Sequence, residues 1–443
     1  MNTPICDFVK KYAKQKSARL HMPGHKGKGF LGVEKFDITE IDSADVLYNA
    51  NGIILESQKN AAKLFNTAKT LYSTEGSSLS IRAMLYLTKL YLTQQNQNTA
   101  ILAGRNAHKT FVTAAALLNL NVKWLYSKNN NGILSCNISA NDIEEYLQKS
   151  KVGAVYLTTP DYLGNILNIK EIAKVCKKYN VLLLIDNAHG AYLNFLQNSL
   201  HPIFLGADMC CDSAHKTLPV LTGGGYLHIS KKAPKEFISN AENAMSIFAS
   251  TSPSYLILQS LDMANGYLYN GYKEKLNCFI EKVNALKQTL INNGITLVGN
   301  EPLKITILTK QMGYLGEELN NILLSFNIVS EYYDNDYLVL MLSLENNKDL
   351  KKIEKALLQI PKNEAINSLP PKMIKPKKVC SLNKALFSDS EELPLSKALG
   401  RVLATPTVSC PPAIPVAVCG EEITDELIEI AKYYNIKTLK VIK

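Results

Sequence analysis

The sequence predicts an α/β protein: a mainly parallel sheet covered by helices on both faces, followed by a smaller α+β domain. Short runs of almost wholly apolar residues recur at 99–103, 122–125, 152–157 and 181–185. Strands that lack polar alternation belong inside a sheet buried on both sides. Helix-length stretches separate these runs, as crossovers between parallel strands require. After a long helical stretch over 254–293 come two further strand candidates at 303–308 and 337–342, which mark the second domain.

Taken in order, residues 1–30 read as an N-terminal arm. A short helical pattern there leads into the loop His21-Met22-Pro23-Gly24-His25-Lys26-Gly27-Lys28-Gly29, too rich in glycine to pack alone. Residues 31–293 form the large α/β domain with its connecting helix, which the pattern kinks or breaks near Gly266 and Gly271. Residues 294–368 form the small α+β domain. Residues 369–443 hold a linker and a C-terminal segment with Cys410-Pro411-Pro412-Ala413-Ile414-Pro415 and a helical run over 422–434.

At 443 residues the chain is long enough for two or three domains, and 46% hydrophobic with 20% charged residues is the composition of a soluble globular protein. No apolar run approaches the ~20 residues that span a bilayer, so no membrane partner is expected. The N-terminus has no basic segment followed by an apolar stretch, which makes the expected location cytoplasmic. Nine scattered cysteines without C-x-x-C spacing read as reduced, mostly buried thiols. His21 and His25 are spaced like a helical metal pair, but Pro23-Gly24 breaks the helix that would align them, and no metal is expected. The net charge of +10 comes from lysines dispersed along the chain. Their densest cluster, Lys372, Lys375, Lys377 and Lys378, is interleaved with prolines as in a linker, so no nucleic-acid partner is expected.

The chemistry concentrates around Asp186, which ends the apolar run 181–185, and Lys216 in Asp212-Ser213-Ala214-His215-Lys216-Thr217. An acid at the carboxyl end of a buried strand, followed by a lysine among small hydroxyl residues, suits pyridoxal phosphate. The amine forms a Schiff base with the cofactor aldehyde, and the carboxylate keeps the pyridine nitrogen protonated. The bland alternatives are an aspartate that caps the next helix and a solvated lysine. Leu71-Tyr72-Ser73-Thr74-Glu75-Gly76-Ser77-Ser78 precedes a helical pattern from about Leu79. That is either a phosphate site at a helix N-terminus or a simple cap by Ser77 or Ser78. His108, after the run 99–103, is placed to stack on a flat cofactor, or is merely solvated. His189 follows Asp186 with the small residues Ala188 and Gly190 around it. Gly223-Gly224-Gly225 lacks the dinucleotide pattern and reads as a turn before a strand.

Together these segments resemble the short form of the Orn/Lys/Arg decarboxylase family, fold-type-I pyridoxal phosphate enzymes. The resemblance runs in order through His21 to Gly27, Asp37-Ile38-Thr39-Glu40, Ser73 to Ser78, Arg105-Asn106-Ala107-His108-Lys109 and Thr158-Thr159-Pro160-Asp161-Tyr162-Leu163-Gly164. It continues through Asp186 to Gly190, Ser213 to Pro219, Ser250 to Tyr255, Glu331 with Asp334, and Cys410 to Pro415. It implies that Lys216 is the Schiff-base lysine, Asp186 the partner of the pyridinium nitrogen, and His108 the stacking histidine with Ala188 against the other ring face. Thr74, Gly76, Ser77, Ser213 and His215 would form the phosphate cradle.

The implied activity is decarboxylation of a basic amino acid, arginine or lysine before ornithine, to an amine for polyamine metabolism. An aminotransferase and a non-catalytic relative are the alternatives. The positive net charge repels a cationic substrate, so local carboxylates must bind it. Glu331 and Asp334 are the candidates, with Asp45 behind them, each set against the reading of a surface ion pair. The resemblance also implies a homodimer or higher homo-oligomer, with the 21–29 loop near the partner subunit's cofactor. Three positions depart from the family pattern: Asn187 stands where glutamate is usual, Tyr192 where histidine is frequent, and Ala413 where glycine is common.

Overall fold

The computed structural model describes residues 1–127, 132–408 and 413–443. Strands occur at Lys69–Ser73 (β1), Ile101–Gly104 (β2), Val122–Leu125 (β3), Ala154–Thr158 (β4), Leu182–Asp186 (β5), Met209–Asp212 (β6) and Gly225–Ile229 (β7). They are followed by Leu297–Val298 (β8), Lys304–Leu308 (β9), Tyr332–Tyr333 (β10), Tyr337–Met341 (β11), Ser390–Pro394 (β12), Thr407–Val408 (β13), Pro415–Ala417 (β14) and Thr438–Ile442 (β15). The chain forms two compact units. Met1–Thr99, Gly153–Tyr156 and Ile169–Glu274 make the first; Ala100–Val152, Leu157–Asn168 and Lys275–Lys443 make the second.

In the first unit the strands lie in the order β1-β7-β6-β5-β4. β5 and β6 are parallel, with Asp186 opposite Cys211, whereas β7 runs antiparallel to both β6 and β1. The sheet is therefore mainly parallel with one reversed strand. Apolar side chains fill much of its centre: Leu184, Ile185, Met209, Cys210 and Leu227 have no exposed surface. The helix Gly76–Gln94 buries Leu79, Met84 and Leu87 and packs on β6, β7 and the helix Lys235–Ser246. The N-terminal helix Pro4–Lys14 starts on a proline, where a missing N–H costs nothing. It buries Ile5, Cys6 and Val9 and packs on the helices Ile53–Leu64 and Tyr255–Tyr269. His21 and His25 follow in a run of turns and contact Tyr12 and Asp37 respectively.

The predicted break in the 254–293 stretch falls at Gly271 alone, between the helices Tyr255–Tyr269 and Tyr272–Asn292. Gly271 has φ +72°, a conformation that side chains with a Cβ resist. Gly266 stays inside its helix, because an isolated glycine there costs only ~1 kcal/mol. A Cβ on it would lie 3.4 Å from Thr3 Cγ2, an ordinary contact, so packing does not demand a glycine there.

In the second unit β2 and β3 pair in parallel with Ile101 opposite Val122. A four-stranded antiparallel sheet has the order β10-β11-β9-β8, and the helix Gly316–Ser325 packs on β11 and β10. Further on, β12 pairs with β15 over a core that includes Leu403, Ala417, Leu427 and Val441. The tail helix occupies Asp425–Tyr433, with the Thr424 hydroxyl accepting from Leu427 N at its start. Cys410, Pro411 and Pro412 of the C-terminal motif lie outside the described residues. All eight described cysteines are free thiols, six of them buried. Among the described residues no helix is long and apolar enough to cross a membrane.

Candidate active site

Asp186 ends β5 with 2% of its surface exposed. It caps no helix, since residues 187–190 form a turn. Its carboxylate accepts from Ala188 N at 3.2 Å and from the Tyr156 hydroxyl at 3.2 Å, and the Cys211 thiol lies at 3.7 Å. Burial pushes its pKa up, and the nearby Lys216 charge opposes that shift. A carboxylate offers about four acceptor positions, so Asp186 can take a further strong donor.

β6 ends at Asp212, and Ser213 leads into the one-turn helix Ala214–Thr217 that carries Lys216. Lys216 Nζ lies 3.1 Å from His189 Nε2, which joins this turn to the one after β5. The Ser213 hydroxyl donates to Ser77 Oγ at 2.8 Å, and His215 Nδ1 donates to the Gly224 carbonyl at 2.8 Å. Thr217 Oγ1 is buried without a hydrogen-bond partner among the described residues.

Ser77 stands in the first turn of the helix Gly76–Gln94, whose N-cap is Glu75, so neither Ser77 nor Ser78 is the cap. Ser73 Oγ shapes the entry by accepting from Glu75 N at 3.1 Å and donating to Gly76 O at 2.7 Å. Gly76 has φ +66°, and its N–H donates to Gly223 O at 2.6 Å. The glycine run is a turn, as expected, but it is also a spacer. A Cβ on Gly223 would sit 2.8 Å from Thr74 O, and one on Gly225 would sit 2.9 Å from Asp212 O. Only bare backbone lets the Thr74–Ser77 segment and the Ser213–Lys216 turn approach so closely. Thr74, Gly76, Ser77, Asp186, Ala188, Ser213, His215 and Lys216 thus gather at one end of the sheet in the first unit. Sequence reading missed Tyr156, whose buried hydroxyl holds Asp186.

His108 belongs to the second unit, just past β2. Its Nδ1 accepts from Thr110 N at 3.2 Å and caps the helix Lys109–Leu117. Lys109 N donates to Ala413 O at 2.8 Å. The loop is anchored by Arg105, which is 2% exposed and donates to Pro415 O, Val416 O and the Glu421 carboxylate. Burial raises the Glu421 pKa and the Arg105 guanidinium opposes it.

The proposed substrate carboxylates also lie in this unit. Glu331 is exposed, accepts from the Tyr162 hydroxyl at 3.0 Å, and lines a cleft of about 520 Å³ with Tyr332, Tyr333, Asp334 and Tyr433. Asp334 is more committed: it accepts from Asp336 N, Tyr337 N and the Tyr332 hydroxyl, each at 2.8 Å, and burial raises its pKa. Asp45, in the first unit, accepts from the backbone of Val46, Asn51, Gly52 and Ile54. Burial works against its charge, yet those N–H donors hold its carboxyl below the usual range.

The family model for the Orn/Lys/Arg decarboxylase major domain matches residues 3–306, and that for the C-terminal domain matches residues 361–440. The uncharacterised protein YaaO of Bacillus subtilis (strain 168) is 29% identical, covering 99% of this chain and 95% of its own length. An arginine decarboxylase of the same organism is 26% identical, covering 96% of this chain and 92% of its own. The Francisella novicida lysine decarboxylase LdcF superposes with a TM-score of 0.79 at 17% identity, covering 100% of this chain and 81% of that one. That likeness supplies the fold-type-I architecture expected from the sequence, and with the matched family models it means that the chain belongs to the Orn/Lys/Arg decarboxylase family.

Proposed function

We propose that this chain is a pyridoxal phosphate-dependent decarboxylase of a basic amino acid, arginine or lysine before ornithine, whose amine product serves polyamine metabolism. The observation that carries the reading is the buried Asp186 carboxylate beside Lys216, in a chain of the decarboxylase family. The residues present fit the cofactor. Two serine hydroxyls, a histidine and a helix N-terminus suit a phosphate monoester, and Thr217 offers a further buried hydroxyl. Asp186 suits a protonated ring nitrogen, because a buried carboxylate gains most from a cationic partner.

When bound, pyridoxal phosphate supplies an electron sink for the charge left on Cα as carbon dioxide departs. The chain's own residues do the rest. Asp186 holds the proton on the ring nitrogen, and the Tyr156 hydroxyl keeps that carboxylate oriented. Lys216 Nζ supplies the amine that anchors the cofactor, and His189, at 3.1 Å, is placed to exchange a proton with it. Thr74, Gly76, Ser77, Ser213 and His215 would hold the phosphate and Ala188 would pack on the ring, and the family resemblance would give His108 the stacking role. Glu331 binds the substrate's distal cation, with Asp334 beside it. The same proposal takes the protein as cytoplasmic and as a homodimer or larger homo-oligomer, with the 21–29 loop near the partner subunit's cofactor.

The test is incubation of the cofactor-loaded protein with arginine, lysine and ornithine in turn, reading amine by mass spectrometry alongside released carbon dioxide. Agmatine, cadaverine or putrescine from one of them, abolished in Lys216→Ala, is the expected result. A keto acid in place of an amine would make the protein an aminotransferase, and no turnover with the cofactor bound would make it a non-catalytic relative. Glu331→Gln should raise KM for the preferred substrate about tenfold with kcat little changed. An unchanged KM would remove Glu331 from the substrate site.

A further inference from the structure

Directly behind the Asp186–Lys216 pair lies a second carboxylate, Asp212, with no exposed surface. Its Oδ1 accepts from the Asn187 side-chain amide at 2.7 Å. Its Oδ2 accepts from His201 Nε2 at 3.1 Å and His228 Nε2 at 3.2 Å. An ionised carboxylate only accepts, so both histidines present Nε2–H to it. The next shell agrees for His228, whose Nδ1 lies 2.9 Å from Thr70 Oγ1, itself 2.7 Å from Thr67 Oγ1. Three donors of good geometry are what an isolated buried carboxylate needs to remain charged.

The partners are distributed in a telling way. Asn187 follows Asp186 at the end of β5, His228 lies on β7, and Asp212 ends β6 immediately before the turn that carries Ser213 and Lys216. Backbone pairing adds a bond from Asn187 N to Cys211 O at 2.9 Å. One carboxylate therefore ties together the two strand ends from which Asp186 and Lys216 emerge. The Asn187 amide nitrogen faces Asp212 and its oxygen faces Gly190, where a Cβ would come within 2.0 Å of it, so only glycine fits beside the amide. We propose that Asp212, clamped by Asn187, His201 and His228, is a positioning residue that sets where Asp186 and Lys216 stand for the cofactor. The cluster also accounts for the departure at Asn187: an acid there would put two carboxylate oxygens at the 2.7 Å contact.

This rests on the reading that Asp186 and Lys216 hold pyridoxal phosphate, and an exchange of the acid and the amide tests it separately from that reading. Three quantities would be measured on full-length protein: Tm without cofactor, Kd for pyridoxal phosphate by fluorescence titration, and kcat against KM for the preferred amino acid. Asn187→Asp should weaken cofactor binding about tenfold and lower kcat more than it raises KM. The exchanged variant Asn187→Asp/Asp212→Asn, which restores one acid and one amide across the same contact, should recover Kd to within about threefold. If Asn187→Asp does not fold, Asn187→Ala removes the donor without adding charge and should weaken binding about threefold.

A variant set that lowers Tm but leaves Kd and kcat unchanged would overturn the proposal, leaving a purely structural cluster. So would an exchanged variant no better than the worse single one. Cys210 Sγ lies 3.9 Å from His201 Nε2, so stoichiometric zinc in the purified protein would also overturn it, because the nitrogens would then be ligands rather than donors. Failure of the unaltered protein to bind pyridoxal phosphate would defeat the underlying reading instead.

Discussion

Asp186 and Asp212 end adjacent parallel strands, are equally buried, and are driven in opposite directions. Asp212 has three side-chain donors. Although burial alone would push its pKa up, His201 and His228 hold it well below the usual carboxylate range. Asp186 has one hydroxyl, one backbone N–H and a distant thiol, and burial wins. The difference teaches that burial alone does not say what a carboxylate is for. A saturated one fixes the elements around it, and an under-supplied one keeps acceptor positions open for a further donor.

Three experiments would break or sharpen that contrast. The largest effect is expected from Asp186→Asn, which should cut cofactor-saturated decarboxylation a hundredfold or more. It should leave the cofactor-free Tm unchanged or slightly higher, and a marked fall in Tm would mean that Asp186, like Asp212, stabilises the cofactor-free fold.

The next effect is in the pH dependence of cofactor-free Tm, where the signs differ. The Asp212 pKa is depressed, so its stabilisation is present above its ordinary value of 3.8 and is lost as pH falls through the folded value. His228 is depressed by burial below its ordinary 6.5, so it also withdraws stability on acidification, starting near that pH. Asp186 is raised, so its ionisation costs stability as pH climbs above 3.8. Tm of Asp186→Asn minus that of the unaltered protein should therefore grow as pH rises from about 4, and the Tm penalty of Asp212→Asn should shrink as pH falls below it. Matching trends in the two variants would abolish the distinction. The smallest effect is expected from Tyr156→Phe, which removes one donor of ~1 kcal/mol and should lower kcat about fivefold.

Much of this was legible in the chain. The run 122–125 is β3 to the residue, and 181–185 is β5 displaced by one, because unbroken apolar runs between helical stretches leave little choice. The proximity of Asp186 and Lys216 could be anticipated, because one ends β5 and the other follows the neighbouring β6 by one short turn. Position relative to a helix start was harder: Ser77 looked as much like a cap as a ligand, and the helix starts one residue earlier, at Gly76, with Glu75 at its cap. The Asp212 cluster could not be read at all. Asn187, His201 and His228 come from separate elements, and the pairing that sets Cys210 opposite His228 has no local sequence signal. Gly223 and Gly225 showed a turn, but not the two close approaches that forbid a Cβ there.

Each unit draws on three separated stretches of chain, and this bears on how the protein is made. On a ribosome adding about 5–20 residues per second, β5 and β6 emerge well before the helix Tyr255–Tyr269 that the N-terminal helix packs against. Ala100–Val152 must in turn wait for residues beyond Lys275 to complete their unit. For several seconds the nascent chain carries an apolar half-sheet without all its cover, so its dependence on chaperones should be set by the order of synthesis rather than by the final stability.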